Sequence, residues 1–238
     1  MTKFYDLEGV GPVRLTKNSR YRNLKITVRP LYGVNVSIPL QTSFEEAEHF
    51  VRMKKEWIKR TVAKVKHFEN KLTLFDENTS FSTRGHNLKI MTHQRSTLQI
   101  IIKKGMIYVF YPSWADVTDA RIQSVIRKAV TEAWRIEAKS FLPGRVKELA
   151  GKFEFRYRNV MIKNAGTRWG SCSSVNNINL NVQLMRLPPH LTDYVILHEL
   201  AHTVEKNHGK RFWALLEKIT GNARGLDKQL KNYNLKVW

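Results

Sequence analysis

Residues 13–39 alternate between polar and apolar side chains: Val13 and Leu15, then Leu24, Ile26 and Val28, then Val34, Val36 and Ile38. Period-two patterning predicts strands, with breaks at Pro30 and Gly33, and the expectation is a small antiparallel meander with one wet face. Arg14, Lys17, Arg20, Arg22 and Lys25 fall on its polar positions or turns. The period then becomes helical over about 43–67. Ser43 and Glu46 have capping-box spacing, and Phe44, Ala47, Val51, Ile58, Val62 and Val65 recur at intervals of three, four and seven. Trp57 reads as a packing residue of that helix. Residues 69–80 are polar and loop-like. Residues 81–112 return to strands, with Thr97–Ile102 and Met106–Tyr111 flanking a hairpin turn at Lys103-Lys104-Gly105.

A long helix is predicted from Val117 to about Leu142, with Ile122, Val125, Ile126, Ala129, Ala133 and Ile136 as its buried stripe. Pro143-Gly144 should break or kink it, leaving a short helical piece at 146–150. Phe153–Ile162 alternates again, and Asn179, Asn181 and Gln183 interleave with Ile178, Leu180, Val182 and Leu184 as a second amphipathic strand. Pro188-Pro189 is a helix entry with Pro189 at the first helical position, and Val195–Leu197 marks that helix as buried on much of its surface. Phe212, Leu215, Leu216 and Ile219 give a short helix beyond it. The change from β-rich to helical sequence falls near 112–117. The expected division is therefore 1–114, a basic β-rich portion containing the helix at about 43–67, and 115–238.

The chain has 238 residues, of which 42% are hydrophobic and 26% charged, values that exclude a disordered, collagen-like or membrane-spanning chain. Its longest apolar runs are far too short to cross a bilayer. Cys172 is the single cysteine, so no intramolecular disulfide forms and a reducing, cytoplasmic setting is expected. The net charge of +21 changes the picture more. Residues 189–238 hold eight Lys/Arg and five Asp/Glu, so nearly all of the excess lies before them. Basic residues gather in Lys54–Lys66 and Arg121–Lys147, either as solvated helix faces or as a surface for nucleic acid or an acidic partner. No zinc-finger, RRM or helix-turn-helix signature accompanies them.

The chemistry concentrates in His198-Glu199-Leu200-Ala201-His202, followed by Asn207-His208. On a helix, His198 and His202 project from one face at neighbouring turns. Two imidazole nitrogens at that spacing can hold one Zn²⁺, and His208 can return from a turn at Asn207–Gly209 as the third ligand. Three protein ligands leave the fourth position to water, the pattern of a catalytic rather than a structural zinc site. Glu199, next to the first ligand, is placed to take a proton from a zinc-activated water and return it to a leaving amine. The implied reaction is hydrolysis of a peptide or protein substrate.

Two blocks, Thr167-Arg168-Trp169-Gly170-Ser171-Cys172-Ser173-Ser174 and His198–His202 running through Asn207-His208 to Phe212-Trp213, resemble the YgjP-like zinc metallopeptidase family. That family is a compact zincin group distantly similar to SprT-like proteases. Ile178–Asn181, Asp193-Tyr194-Val195 and Trp57-Ile58 extend the likeness. The resemblance implies an α+β zincin-like catalytic domain, with His198, His202 and His208 as zinc ligands and Glu199 as catalytic acid/base. Thr203 and Gly209 depart from the family's common Leu and Ser. A metzincin is disfavoured, because Glu205 replaces its Gly and no Met follows Met185.

The Arg168–Ser174 block and the strand at 177–184 are read either as a substrate-binding edge or as packing, with Trp169 and Cys172 in the core. Cys172 as a fourth ligand would close the site. Glu217 and Asp193 are candidates to hold a ligand imidazole. Arg168, Tyr194 and Tyr233 are oxyanion-stabilising candidates by type alone. Two other functions stay open: a nucleic-acid-associated module with structural zinc, and a SprT-like protease acting on DNA-bound proteins.

Overall fold

The computed structural model describes residues 1–29, 33–69, 74–233 and 235. The chain is α+β and divides into two units, Met1–Leu74 and a second from Phe75 onward. The boundary expected at 114 therefore falls inside the second unit. The sheet that precedes it in sequence shares a core with the long helix that follows: Ile90, Ile107 and Val109 join Ile126, Val130 and Ala133. Composition changes at 114, but burial is continuous through it.

The first unit is a four-stranded sheet, β1 (Thr2–Leu7), β2 (Gly11–Lys17), β3 (Lys25–Arg29) and β4 (Gly33–Ile38), in the order β1-β2-β4-β3. The alternating residues are strands as expected, but the arrangement is not a simple meander. β2 pairs parallel with β4, and β3 lies outside β4 at the edge. Val13, Leu15, Val34, Val36 and Ile38 face one side and pack against two helices. These are α1 (Phe44–Met53) and α2 (Lys55–Glu69). Ser43 and Glu46 form the capping box, Ser43 N donating to Glu46 Oε2 at 2.7 Å and Glu46 N to Ser43 Oγ at 3.0 Å. The single helix expected over 43–67 is interrupted at Lys54, yet Val51 and Ile58, seven apart, are buried on either side. That unbroken stripe is why the pattern reads as one helix. Trp57 is half exposed rather than packed. Of the loop expected over 69–80, residue 69 ends α2, 70–73 lie outside the described residues, and 74–80 form neither helix nor strand.

In the second unit, β5 (Asn87–His93), β6 (Gln99–Lys103) and β7 (Met106–Pro112) form a sheet ordered β5-β7-β6. The hairpin turn is the expected one, with Lys104 and Gly105 at φ of 49° and 73°. This sheet packs on α3 (Ala120–Lys152), capped by Asp119. The helix expected to reach about Leu142 runs on through Pro143 to Lys152, so of the expected break or kink the break does not occur. An interior proline costs about 3 kcal/mol, but Val146, Leu149 and Ala150 beyond it are all buried in the core, at roughly 1.5–3 kcal/mol for each large side chain. The buried stripe is also shifted: Ile136 is exposed, while Val130, Trp134 and Ala138 face inward.

A second sheet, ordered β8-β10-β9, comprises β8 (Asn159–Lys163), β9 (Gly170–Cys172) and β10 (Asn177–Asn181). Phe153, Phe155 and Tyr157 precede β8 and pack on the core without joining a strand. The strand expected to reach 184 stops at Asn181, whose side chain accepts from Gln183 N and starts a 3-10 turn at Val182–Arg186. Three further helices follow: α4 (Pro189–Ala201), α5 (Lys210–Thr220) and α6 (Ala223–Leu230). Among the described residues, no helix is long and apolar enough to cross a membrane.

Candidate metal centre

Pro189 opens α4 at a first-turn position, as its fixed φ favours. The helix touches α3, α5, α6, β9 and β10, so it is buried on nearly every side, and Leu191, Val195, Ile196 and Leu200 fill the core. His198 lies in its last turn and His202 is its C-cap. The chain then turns through 203–209, and α5 begins after Gly209. The turn uses no left-handed residue at Asn207 or Gly209, the latter having φ −74°. His208 returns to the two helical histidines by this turn.

The three rings converge. His208 Nε2 lies 3.0 Å from His198 Nε2 and 3.2 Å from His202 Nε2. Two nitrogens on one tetrahedral zinc at 2.0–2.1 Å would stand about 3.3 Å apart, so the donor set fits such an ion. Phe212, fully buried on α5, forms the floor, with ring centroids 4.9, 4.4 and 4.7 Å from His198, His202 and His208. His202 Nδ1 donates to Glu205 O at 3.0 Å. A carbonyl can only accept, so Nδ1 carries the proton and Nε2 is left with its lone pair for a cation. Burial, and then repulsion by the other two histidines, holds His198 down to about 4, which keeps its ring neutral; burial also lowers His202.

Glu199 is 6% exposed and its side chain lies against Gly170 of β9. Its carboxyl is pushed up to about 8 by burial, against an opposing pull from Arg168. A Cβ at Gly170 would lie 2.6 Å from Glu199 Oε1 and 2.7 Å from its Cγ. Only a glycine leaves room for the carboxylate there. β9 is an edge strand: Asn181 N donates to Trp169 O, and Ser173 N donates to Asn177 O, both at 2.9 Å. Those odd-numbered residues use their main-chain groups on β10, so Gly170 and Cys172 present theirs to the open side. Lys206 in the turn after α4 reaches Ser173 O at 3.4 Å and also bonds Asn176 Oδ1, tying that turn to the β9–β10 hairpin.

Other sequence candidates fall elsewhere. Cys172 packs on the core, its thiol raised by burial and donating to Ser173 O, and it is not part of the histidine cluster. Trp169 packs on the core as well. Asp193 accepts a two-pronged contact from Arg145, and Glu217 accepts from Ala223 N, so neither holds a ligand imidazole. The backbone carbonyl of Glu205 holds the His202 ring instead, and no side-chain pattern could signal it. Among the oxyanion candidates, exposed Arg168 acts on Glu199. Tyr194 is buried with its ring 6.0 Å from His198, and Tyr233 lines a cavity of about 490 Å³ with Trp169 and Asp227.

The sequence profile of the family described as YgjP-like, metallopeptidase domain, matches residues 22–233. Among solved structures, the metallopeptidase zymogen of jannalysin from Methanocaldococcus jannaschii is similar over 38% of this chain and 93% of its own. The identity is 24% and the TM-score 0.34. The metallopeptidase zymogen of abylysin from Pyrococcus abyssi is similar over 39% of this chain and 94% of its own, with 20% identity and a TM-score of 0.35. No curated protein matches significantly.

Proposed function

The chain belongs to the YgjP-like metallopeptidase family, and from that premise we propose that it is a zinc-dependent peptidase in which His198, His202 and His208 hold one zinc ion and Glu199 is the general base. The observation that carries this reading is the meeting of three histidine rings, with the residue after the first of them a buried carboxylate packed against an edge strand. When bound, zinc supplies Lewis-acid charge and brings a water's pKa towards about 7. Everything else is the work of this chain's residues. Phe212 fixes the ring planes and Glu205 O fixes the His202 tautomer. Glu199, made more basic by burial, takes a proton at a carboxylate oxygen and hands it to the departing amine. The outward N–H and C=O groups of Gly170 and Cys172 accept the peptide as an added strand. Main-chain bonds then hold the substrate without dictating its side chains.

Zinc content and cleavage of a broad peptide library test the proposal together. Glu199→Gln should keep stoichiometric zinc and lose about 10²–10⁴-fold in rate, the range of general acid–base catalysis. His198→Ala should lose the metal. Cleavage retained by Glu199→Gln, or a metal-free wild-type protein that cleaves, overturns the proposal.

A further inference from the structure

The first sheet has a second face. Where α1 and α2 cover Val13, Leu15 and Val36, the alternate residues point the other way. The strand register sets them in rows: Phe4 opposite Arg14, beside Asn35, opposite Thr27; and Thr2 opposite Thr16, beside Ser37, opposite Lys25. Tyr21, from the connection between β2 and β3, joins Arg14, Thr16, Thr27, Asn35 and Ser37 around a cavity of about 290 Å³. Exposed Arg20 and Arg22 flank Tyr21. Among the described residues of these four strands, only Asp6, at the end of β1, brings an acid to this face. Phe4 is 62% exposed, and the Arg14 guanidinium stands 5.5 Å from its ring centroid.

A solvated face needs neither a concavity lined with hydroxyls nor a phenyl ring in water. Together with a predominantly positive charge, these features describe a ligand that is anionic and flat in turn. We propose that this face binds single-stranded nucleic acid, with a phosphate seated in the cavity against Arg14 and the hydroxyls of Thr16, Thr27 and Ser37, and an unpaired base stacked on Phe4. Arginine's fork and nearby hydroxyls suit phosphate oxygens, and an exposed ring beside a guanidinium suits a base plane. A duplex hides its base faces in its own stack and cannot use Phe4. An acidic polypeptide would use the arginines but leaves the exposed ring and the hydroxyl-lined cavity without a role. None of these residues belongs to the candidate metal centre, so the site stands apart from peptide hydrolysis.

Fluorescence anisotropy with the full chain tests this, using labelled oligouridine, oligothymidine, a duplex of equal length and polyglutamate. The single strands should bind with salt dependence and the duplex and polyglutamate at least tenfold more weakly. Phe4→Ala should weaken single-strand binding roughly tenfold, as loss of one stacked base does, and Phe4→Trp should restore it. Arg14→Ala should weaken binding and lower the salt slope by about 0.7, one phosphate contact on a single strand. Lys139→Ala, an exposed lysine of α3, should change affinity less than about twofold. Because Phe4 is exposed, its variants should melt with the wild type. The proposal is overturned if Phe4→Ala and Lys139→Ala behave alike, if duplex or polyglutamate binds as tightly as oligouridine, or if no strand binds. Glu199→Gln should bind oligouridine like the wild type, so this proposal and the peptidase reading fail separately.

Discussion

A methyl group added at Gly170 tests the architecture of the centre more sharply than removal of a ligand. The new Cβ would stand 2.6, 2.7 and 2.9 Å from Glu199 Oε1, Cγ and Cδ. Carbon atoms rest at about 3.5–4.0 Å, so the contact must open by about 1 Å. Because Cγ is as close as the tip, a swing of the carboxylate alone does not relieve it. β9 is held by its pairing with β10 and α4 is wedged in the core, so the displacement falls on the Glu199 side chain. A shift of about 1 Å in a catalytic group costs on the order of 10²-fold, and overpacking of this kind costs about 1–3 kcal/mol of stability. Gly170→Ala should therefore lower kcat about 100-fold on a fluorogenic peptide. Zinc affinity, read by competition with a chromophoric chelator, should change less than about threefold, since no imidazole is touched. In a Glu199→Gln background the same methyl should cost no further activity. Near wild-type kcat in Gly170→Ala, or a parallel loss of zinc, would refute the reasoning.

Three further outcomes follow from the packing around α4. Arg145 donates to both oxygens of Asp193 at 2.8 and 2.6 Å, joining α3 to α4; with both side chains about a quarter exposed, Arg145→Ala should cost about 1–2 kcal/mol in urea unfolding, and Arg145→Lys should recover only part of it. Asn181 is buried and donates from Nδ2 to Ala165 O and Arg168 O at 2.6 and 2.9 Å, so Asn181→Ala should cost about 2–3 kcal/mol and speed hydrogen exchange over 164–169. In chelator-treated protein, Glu199 sits at about 8 when folded against an ordinary 4.5, so folding favours its protonated form. The associated stability is full below about 4.5 and fades as pH rises to 8, a loss on the order of a few kcal/mol that Glu199→Gln should abolish in pH-dependent melts.

What the sequence made legible was local. The Ser43–Glu46 box, the Lys104-Gly105 turn and the entry of α4 at Pro189 each depend on a few neighbouring residues, and each formed as expected. The convergence of His198, His202 and His208 was also readable, because helix pitch sets the first pair and a short turn limits where the third can reach. Tertiary facts were not. Pro143 is a local stop signal overridden by the burial of residues beyond it. The parallel pairing of β2 with β4 leaves no trace in alternation, since both pairing senses share the same period. β1 went unread because Lys3, Tyr5 and Leu7 give only a faint apolar face. Nothing local marks Gly170 as making room for a side chain 29 residues later in the sequence.

A helix with neighbours on nearly every side can turn few of its polar residues to water, so α4 satisfies most of them inside the protein. Thr192 donates to Leu184 O, Asp193 accepts from Arg145, and His202 donates to Glu205 O. Two residues are exceptions: among the described residues no partner is bonded to the buried Tyr194 hydroxyl, and no donor is bonded to the Glu199 carboxylate, which is only 6% exposed. Burying an unbonded carboxyl costs several kcal/mol of differential solvation between its charged and neutral forms, and a well-packed apolar residue would fit the core at less expense. Gly170 adds to that cost, since a glycine in a strand gives up packing and backbone entropy. Two separate sacrifices of stability therefore meet at one side chain, on the helix that carries His198 and His202 and against an edge strand with outward main-chain groups. Packing alone explains neither sacrifice. The general-base role proposed for Glu199 accounts for both, because a permanent hydrogen bond there would occupy the atom that exchanges the proton.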